Sequence, residues 1–141
     1  MRQLYENEGT KEDEERIAAL CERAWECKFR KLPIKNRIDF AVTTEDGLLG
    51  YAEIKKRKNS KGKYKSWLIA LDKWLHAKHI AETSNGVPMM FVVEWEEGIF
   101  WIRQDEVVYR VGVGGRSDRS DQMDRELCVF VDVDQFQPLK S

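Results

Sequence analysis

Apolar residues fall at helical spacing in two stretches of the chain and at alternate positions in several others. Ile17, Leu20, Cys21, Ala24 and Lys28 mark one mostly apolar helical stripe. It predicts a helix from Lys11 to Phe29, with Thr10 as N-cap and acids in the first turn. Glu14 lies three residues before Ile17 and seven before Cys21, at the edge of the inward stripe. Pro33 and Asn36 break the pattern. Alternation then predicts a strand over Arg37 to Val42, with Ile38, Phe40 and Val42 on one face and Asp39 on the other. Turn chemistry at Thr43 to Gly47 leads into a second strand, Leu48 to Lys55, and the two make an antiparallel hairpin. Leu49, Tyr51, Glu53 and Lys55 share one face of that strand.

A polar loop over Asn59 to Lys63 precedes a second predicted helix, Ser66 to Thr83, whose stripe carries Trp67, Leu68, Leu71, Trp74 and Leu75. Val87 to Trp95 is the most apolar strand and suits the centre of a covered sheet, and Ile99 to Arg103 follows it across a turn. Further strands are predicted at Val107 to Val113 and Cys128 to Val133, separated by a Gly, Arg and Asp loop. The order of elements predicts an α/β (α+β mixed) fold: a central mixed β-sheet flanked by helices.

At 141 residues, 42% of them hydrophobic, the chain suits a single domain. Residues 1–10 are expected to be a flexible N-terminus and 104–141 a strand-rich C-terminal extension. Cys21, Cys27 and Cys128 form no CxxC pair, which argues against a disulfide framework or a zinc knuckle. With no membrane-length apolar run and no signal peptide, a cytoplasmic protein is expected. The net charge of −1 conceals segregation: Glu6 to Glu15 holds six acids against one lysine, whereas Lys55 to Lys65 holds seven cations and no acid. A strip of that density can grip phosphate, so Lys56, Arg57, Lys58, Lys61, Lys63 and Lys65 are candidate DNA-backbone contacts, against the plainer reading of a solvated loop.

The candidate chemistry lies in the hairpin. Asp39 and Glu53 can face each other across it, Lys55 shares the face of Glu53, and the carbonyl of Ile54 lies between them. Phosphodiester hydrolysis needs an activated water and neutralisation of added negative charge, which Mg²⁺ or Mn²⁺ held by carboxylates can supply with a lysine nearby. An acid-x-base triplet should occur roughly four times by chance in a chain this charged. Three occur, and only Glu53/Lys55 is on a strand with an aspartate on its partner. On spacing alone a cross-strand salt bridge is the plainer reading. His76 and His79 are three apart on a helix but lack a third soft ligand, so packing or surface roles are favoured. Arg116 and Arg119 alternate with aspartates and are read as a charged turn. No glycine-rich strand-to-helix turn marks a nucleotide cofactor.

The sequence of features resembles the PD-(D/E)XK nuclease superfamily. The features are a helix with an acid, Asp39 in RIDFAV, a hairpin, Glu53-Ile54-Lys55 in YAEIKKRK, a long helix and VPMMFVVEW. It is especially similar to small archaeal Holliday-junction resolvases and short phage-encoded nucleases, over roughly residues 6 to 103, with the tail GGRSDRSDQMD adding to the phage-type likeness. The resemblance implies a restriction-endonuclease-like fold and a Mg²⁺- or Mn²⁺-dependent DNA endonuclease, including activity on branched or otherwise structured DNA. It assigns Asp39 and Glu53 as metal ligands and Lys55 as the catalytic lysine, and maps the first-helix acid to Glu14, with Glu15 close behind. Ile38 stands where the family motif has proline. A homodimer would place two sites on two strands. The alternative from another class is a non-catalytic nucleic-acid- or partner-binding protein on the same fold.

Overall fold

The computed structural model describes residues 10–114 and 126–140. Helix α1 (Lys11–Trp25) begins with a capping box, in which the Thr10 hydroxyl accepts from the Asp13 N–H and the Asp13 carboxylate accepts from the Thr10 N–H. Ile17, Ala18 and Cys21 form its buried face. The helix ends at Trp25 rather than at the expected Phe29. Glu26 takes a left-handed conformation at φ 55°, the Cys27 N–H bonds back to Glu22, and the chain leaves as β1 (Lys28–Lys31). Phe29 is buried from this strand and not from the helix.

β1 pairs with β2 (Phe40–Thr44), and β2 forms the predicted antiparallel hairpin with β3 (Gly47–Lys56). β3 then runs parallel to β5 (Met89–Trp95), the connection passing through β4 (Ser66–Ala70) and helix α2 (Leu71–Thr83). β6 (Gly98–Arg103) and the short β9 (Gln137–Pro138) complete a mixed six-stranded sheet in the order β1-β2-β3-β5-β6-β9. Apolar clusters cover both faces. On the α1 side Ile17 and Cys21 meet Phe40, Val42, Ala52, Ile54 and Val92. On the α2 side Trp74 and Ala77 meet Met89, Phe91, Val93 and Ile102. Trp74 stacks on Phe91 with centroids 5.4 Å apart. β5 is buried on both faces, which is why its sequence is almost continuously apolar.

Three expectations need correction. Ser66–Ala70 is a strand and not the start of the second helix: Trp67 and Ile69 alternate inward, and β4 pairs with β8 (Leu127–Asp132), which pairs in turn with β7 (Arg110–Val113). A five-residue apolar run suits helix or strand alike, and here a partner some sixty residues further along the chain decides it. The C-terminal third is not appended to the fold. Its strands close the second sheet and the edge of the first, and Phe136 packs against Trp67 and Trp95. Finally, Ile38 does not share the face of Phe40 and Val42; it joins the α2-side cluster. A 3₁₀ turn at Ile34–Asn36 and a left-handed Arg37, at φ 63°, delay the strand until Phe40.

Candidate active site

The two acids of the hairpin meet where its ladder ends. β2 and β3 pair Phe40 with Ala52, so the next position along the register sets Asp39 opposite Glu53. β2 has already peeled away there, and the two carboxylates replace the missing backbone bonds reciprocally. Asp39 Oδ2 accepts from the Ile54 N–H at 2.8 Å, and Glu53 Oε1 accepts from the Asp39 N–H at 3.2 Å. Along β3 the N–H groups of Tyr51 and Arg57 donate to β5-side carbonyls of Pro88 and Glu94. The alternate residue Ile54 therefore turns its backbone, carbonyl included, toward Asp39. Its side chain packs under α1.

Glu53 has no solvent exposure, a rare position for a carboxylate. Its Oε2 is ion-paired with the Lys73 ammonium of α2 at 2.8 Å. Burial, reinforced by the nearby Asp39 charge, pushes the Glu53 carboxyl up to about 7, against the pull of Lys73 and Lys55. Lys55, on the same face, is held below the usual lysine range by burial first and by Lys73 second. Burial also works against charge on Lys73, yet attraction from Glu53 and Asp39 outweighs it and its pKa is raised. The site is thus a cluster of two acids and two lysines, with Glu53 buried and Asp39, Lys55 and Lys73 half-buried around it.

Glu14 enters from the first turn of α1. Its Oε1 is 2.7 Å from Lys31 Nζ, and that ammonium lies 4.0 Å from Asp39 Oδ1, so Lys31 links the helix acid to the hairpin acid. Glu15 is exposed. A second network fixes the same end of α1: Arg16 forks onto both carboxylate oxygens of Glu94 at 3.0 and 2.7 Å and also contacts Asp13 at 3.2 Å. The hydrogen bonds between Arg16 and Glu94 raise the guanidinium pKa and lower that of the carboxyl.

The basic strip divides. Lys56 joins the α1 network, 3.6 Å from both Asp13 and Glu94. The Arg57 N–H bonds to the Glu94 carbonyl at 2.8 Å and its side chain reaches the Lys56 carbonyl. Lys58, Lys63 and Lys65 are exposed, and Lys61 lies over the Phe100 ring. His76 bonds to the Asn36 carbonyl at 3.0 Å and His79 is exposed. Arg116 and Arg119 lie outside the described residues. Cys21, Cys27 and Cys128 are buried free thiols, with Cys21 pushed up to about 12 by burial.

Sequence reading passed over Lys31 entirely. Extending the first helix through Phe29 concealed the strand that puts Phe29 and Lys31 on one face. One available signal was overlooked: residues 27–38 hold five cations, Lys28, Arg30, Lys31, Lys35 and Arg37, and no acid.

Asp39, Glu53 and the Ile54 carbonyl suit a hard divalent cation. Mg²⁺ is ordinarily held by one or two carboxylates, with water and substrate phosphate completing the shell, and a cation at Glu53 Oε2 would take over the charge neutralisation that the Lys73 ammonium supplies at 2.8 Å. Among the described residues no three His, Cys, Asp or Glu side chains form a closed cage. Nor is any helix there long and apolar enough to cross a membrane.

A mixed sheet with a helix acid, a strand-end aspartate and Glu-x-Lys on the neighbouring strand is consistent with the restriction-endonuclease-like class of nucleases. The family described as "Phage putative PDDEXK endonuclease" matches residues 1–139, and the chain belongs to it. No curated protein matches the sequence significantly.

Proposed function

We propose that this protein is a divalent-metal-dependent DNA endonuclease, with Asp39, Glu53 and the Ile54 carbonyl holding Mg²⁺ or Mn²⁺. The observation that carries the reading is the fully buried Glu53, set between Asp39 and two lysines, Lys73 and Lys55. A buried carboxylate so costly to ionise is hard to explain as structure alone, since a neutral side chain would fill the position with less penalty. When bound, the cation would supply Lewis-acid stabilisation of charge on the scissile phosphate. Lys55, with its lowered pKa, would orient the attacking water and balance charge as the phosphorane forms. Glu14 would orient a water at the α1 side of the cleft. Lys58, Lys61, Lys63 and Lys65 would track the DNA backbone leading away from the site.

The test compares wild type with Asp39→Asn and Lys55→Ala on supercoiled, linear and branched DNA, with Mg²⁺, Mn²⁺ or EDTA, alongside calorimetric titration of Mn²⁺. Metal-dependent nicking by wild type alone, and Mn²⁺ binding weakened by Asp39→Asn, are expected. Equal nicking by all three proteins, or no divalent-metal binding by any, defeats the proposal. DNA binding without cleavage under every condition would mark a non-catalytic binding protein.

A further inference from the structure

The segment joining β1 to β2 enters the site directly at Asp39, and its tip is unusual. Ile34 is 91% exposed, more than any other large apolar side chain among the described residues. A lone surface isoleucine is ordinary and carries nothing by itself. This one, however, lies on a built turn. Pro33 starts the 3₁₀ turn, the Asn36 N–H bonds to the Pro33 carbonyl and the Arg37 N–H to that of Ile34, each at 3.0 Å. Both ends are anchored. The Leu32 N–H donates to the Asp39 carbonyl at 3.0 Å, and Leu32 packs on the α2-side core. On the other side His76 holds the Asn36 carbonyl at 3.0 Å and Asp72 pairs with Arg37 at 3.6 Å. At the tip Lys31 is paired with Glu14 and Arg37 with Asp72, so it is the exposed Lys35, next to Ile34, that offers a charge complementary to a phosphate backbone.

From these features we infer that the Leu32–Ile38 turn is a DNA-contacting wedge, in which Ile34 packs against a base exposed at an unstacked step while Lys35 holds a flanking phosphate. An intact duplex stacks its base faces away from an apolar tip. A bulge, mismatch or branch point presents them, and apolar side chains inserted at such steps gain burial where the stacking is already lost. The inference deepens the nuclease reading and rests on it, naming DNA with a local unstacked step as the substrate class. It also accounts for the rigidity of the turn, since a wedge must hold its shape against the stack.

The test uses full-length protein carrying Asp39→Asn, in EDTA, so that binding is read without cleavage. Fluorescence anisotropy is measured on a linear duplex and on the same duplex with a central bulge, with 2-aminopurine beside the bulge reporting unstacking. Adding Ile34→Ser should weaken binding to bulged DNA roughly tenfold, the scale of one apolar side chain losing its buried contact, and remove the rise in 2-aminopurine fluorescence. The linear duplex should change by less than about twofold, because its base faces stay covered. Lys35→Ala, which leaves the Arg37–Asp72 anchor in place, should weaken both DNAs equally and flatten the salt dependence. The wedge is overturned if Ile34→Ser binds bulged DNA as its parent does, or loses equally on both DNAs. If the parent binds DNA and wild type cleaves it, that result leaves the nuclease reading standing. If the parent binds no DNA and wild type cleaves none, both fall together.

Discussion

Glu53→Gln should make the metal-free protein more stable and abolish its activity, and the size of the gain can be worked out from the site. Glu53 is fully buried, and its carboxyl titrates at about 7 instead of the ordinary 4.5. Below 4.5 both folded and unfolded chains carry the proton, so ionisation has no effect on folding. Between 4.5 and 7 the unfolded chain releases the proton that the folded chain keeps, and stability falls as pH rises. Above 7 both states are ionised and the full penalty, about 3 kcal/mol, is in force. Glutamine can still accept the Asp39 N–H and has no charge to bury. The stability gap between Glu53→Gln and wild type should therefore widen by about 2–3 kcal/mol between pH 5 and pH 8. Urea unfolding in EDTA, followed by tryptophan fluorescence, measures this directly. Mn²⁺ added at pH 8 should raise wild-type stability more than that of the variant, because the variant keeps Asp39 but lacks the ionised Glu53 carboxylate to hold the metal. A gap that does not vary with pH would refute the claim that Glu53 carries a large desolvation penalty in the folded protein.

Other perturbations test separate parts of the architecture. Lys73→Met removes a cation 2.8 Å from Glu53, so the Glu53 carboxyl should titrate higher still, and the pH at which Mn²⁺ binding is half lost should move upward in calorimetric titrations. Gly50→Ala would bring a Cβ within 2.7 Å of the Pro88 carbonyl oxygen, which accepts the Tyr51 N–H at the start of the parallel β3–β5 pairing. A loss of about 1–3 kcal/mol in urea unfolding is expected, since backbone and not a flexible side chain must move. Arg16→Ala leaves Glu94 and Asp13 without their guanidinium. Thermal stability should fall by about 1 kcal/mol, discounted for partial exposure, and the loss should shrink in high salt. Nicking should fall further than DNA affinity as Glu14 loses its fixed approach.

The hairpin and its acids were legible because they depend on local alternation: a turn at Glu45 to Gly47 and period-two spacing from Leu49 to Lys55 fix which side chains share a face. β5 was legible for the opposite reason, having no polar face to report. What escaped depended on distant partners or on backbone that no pattern encodes. Ser66–Ala70 reads equally well as helix until β8 is known. The early end of α1 rests on a left-handed glutamate, a residue with no special preference for that conformation. Lys31 was hidden because the first two residues of its strand, Lys28 and Phe29, were counted as helix.

The pairing of β4 with β8 also bears on the order in which the chain can mature. Ser66 meets Asp132 and Ala70 meets Cys128, whereas the hairpin, α2 and β5 have all emerged from the ribosome by Trp95. Until β8 is made, β4 is a bare apolar edge, and Trp67, packed on Phe91, still lacks Val131 and Phe136. Such separated contacts slow folding and lengthen the interval in which a nascent chain can stick to its neighbours. A protein built this way has its two hairpin acids side by side early, but closes its second sheet only once residues as far as Asp132 have been made.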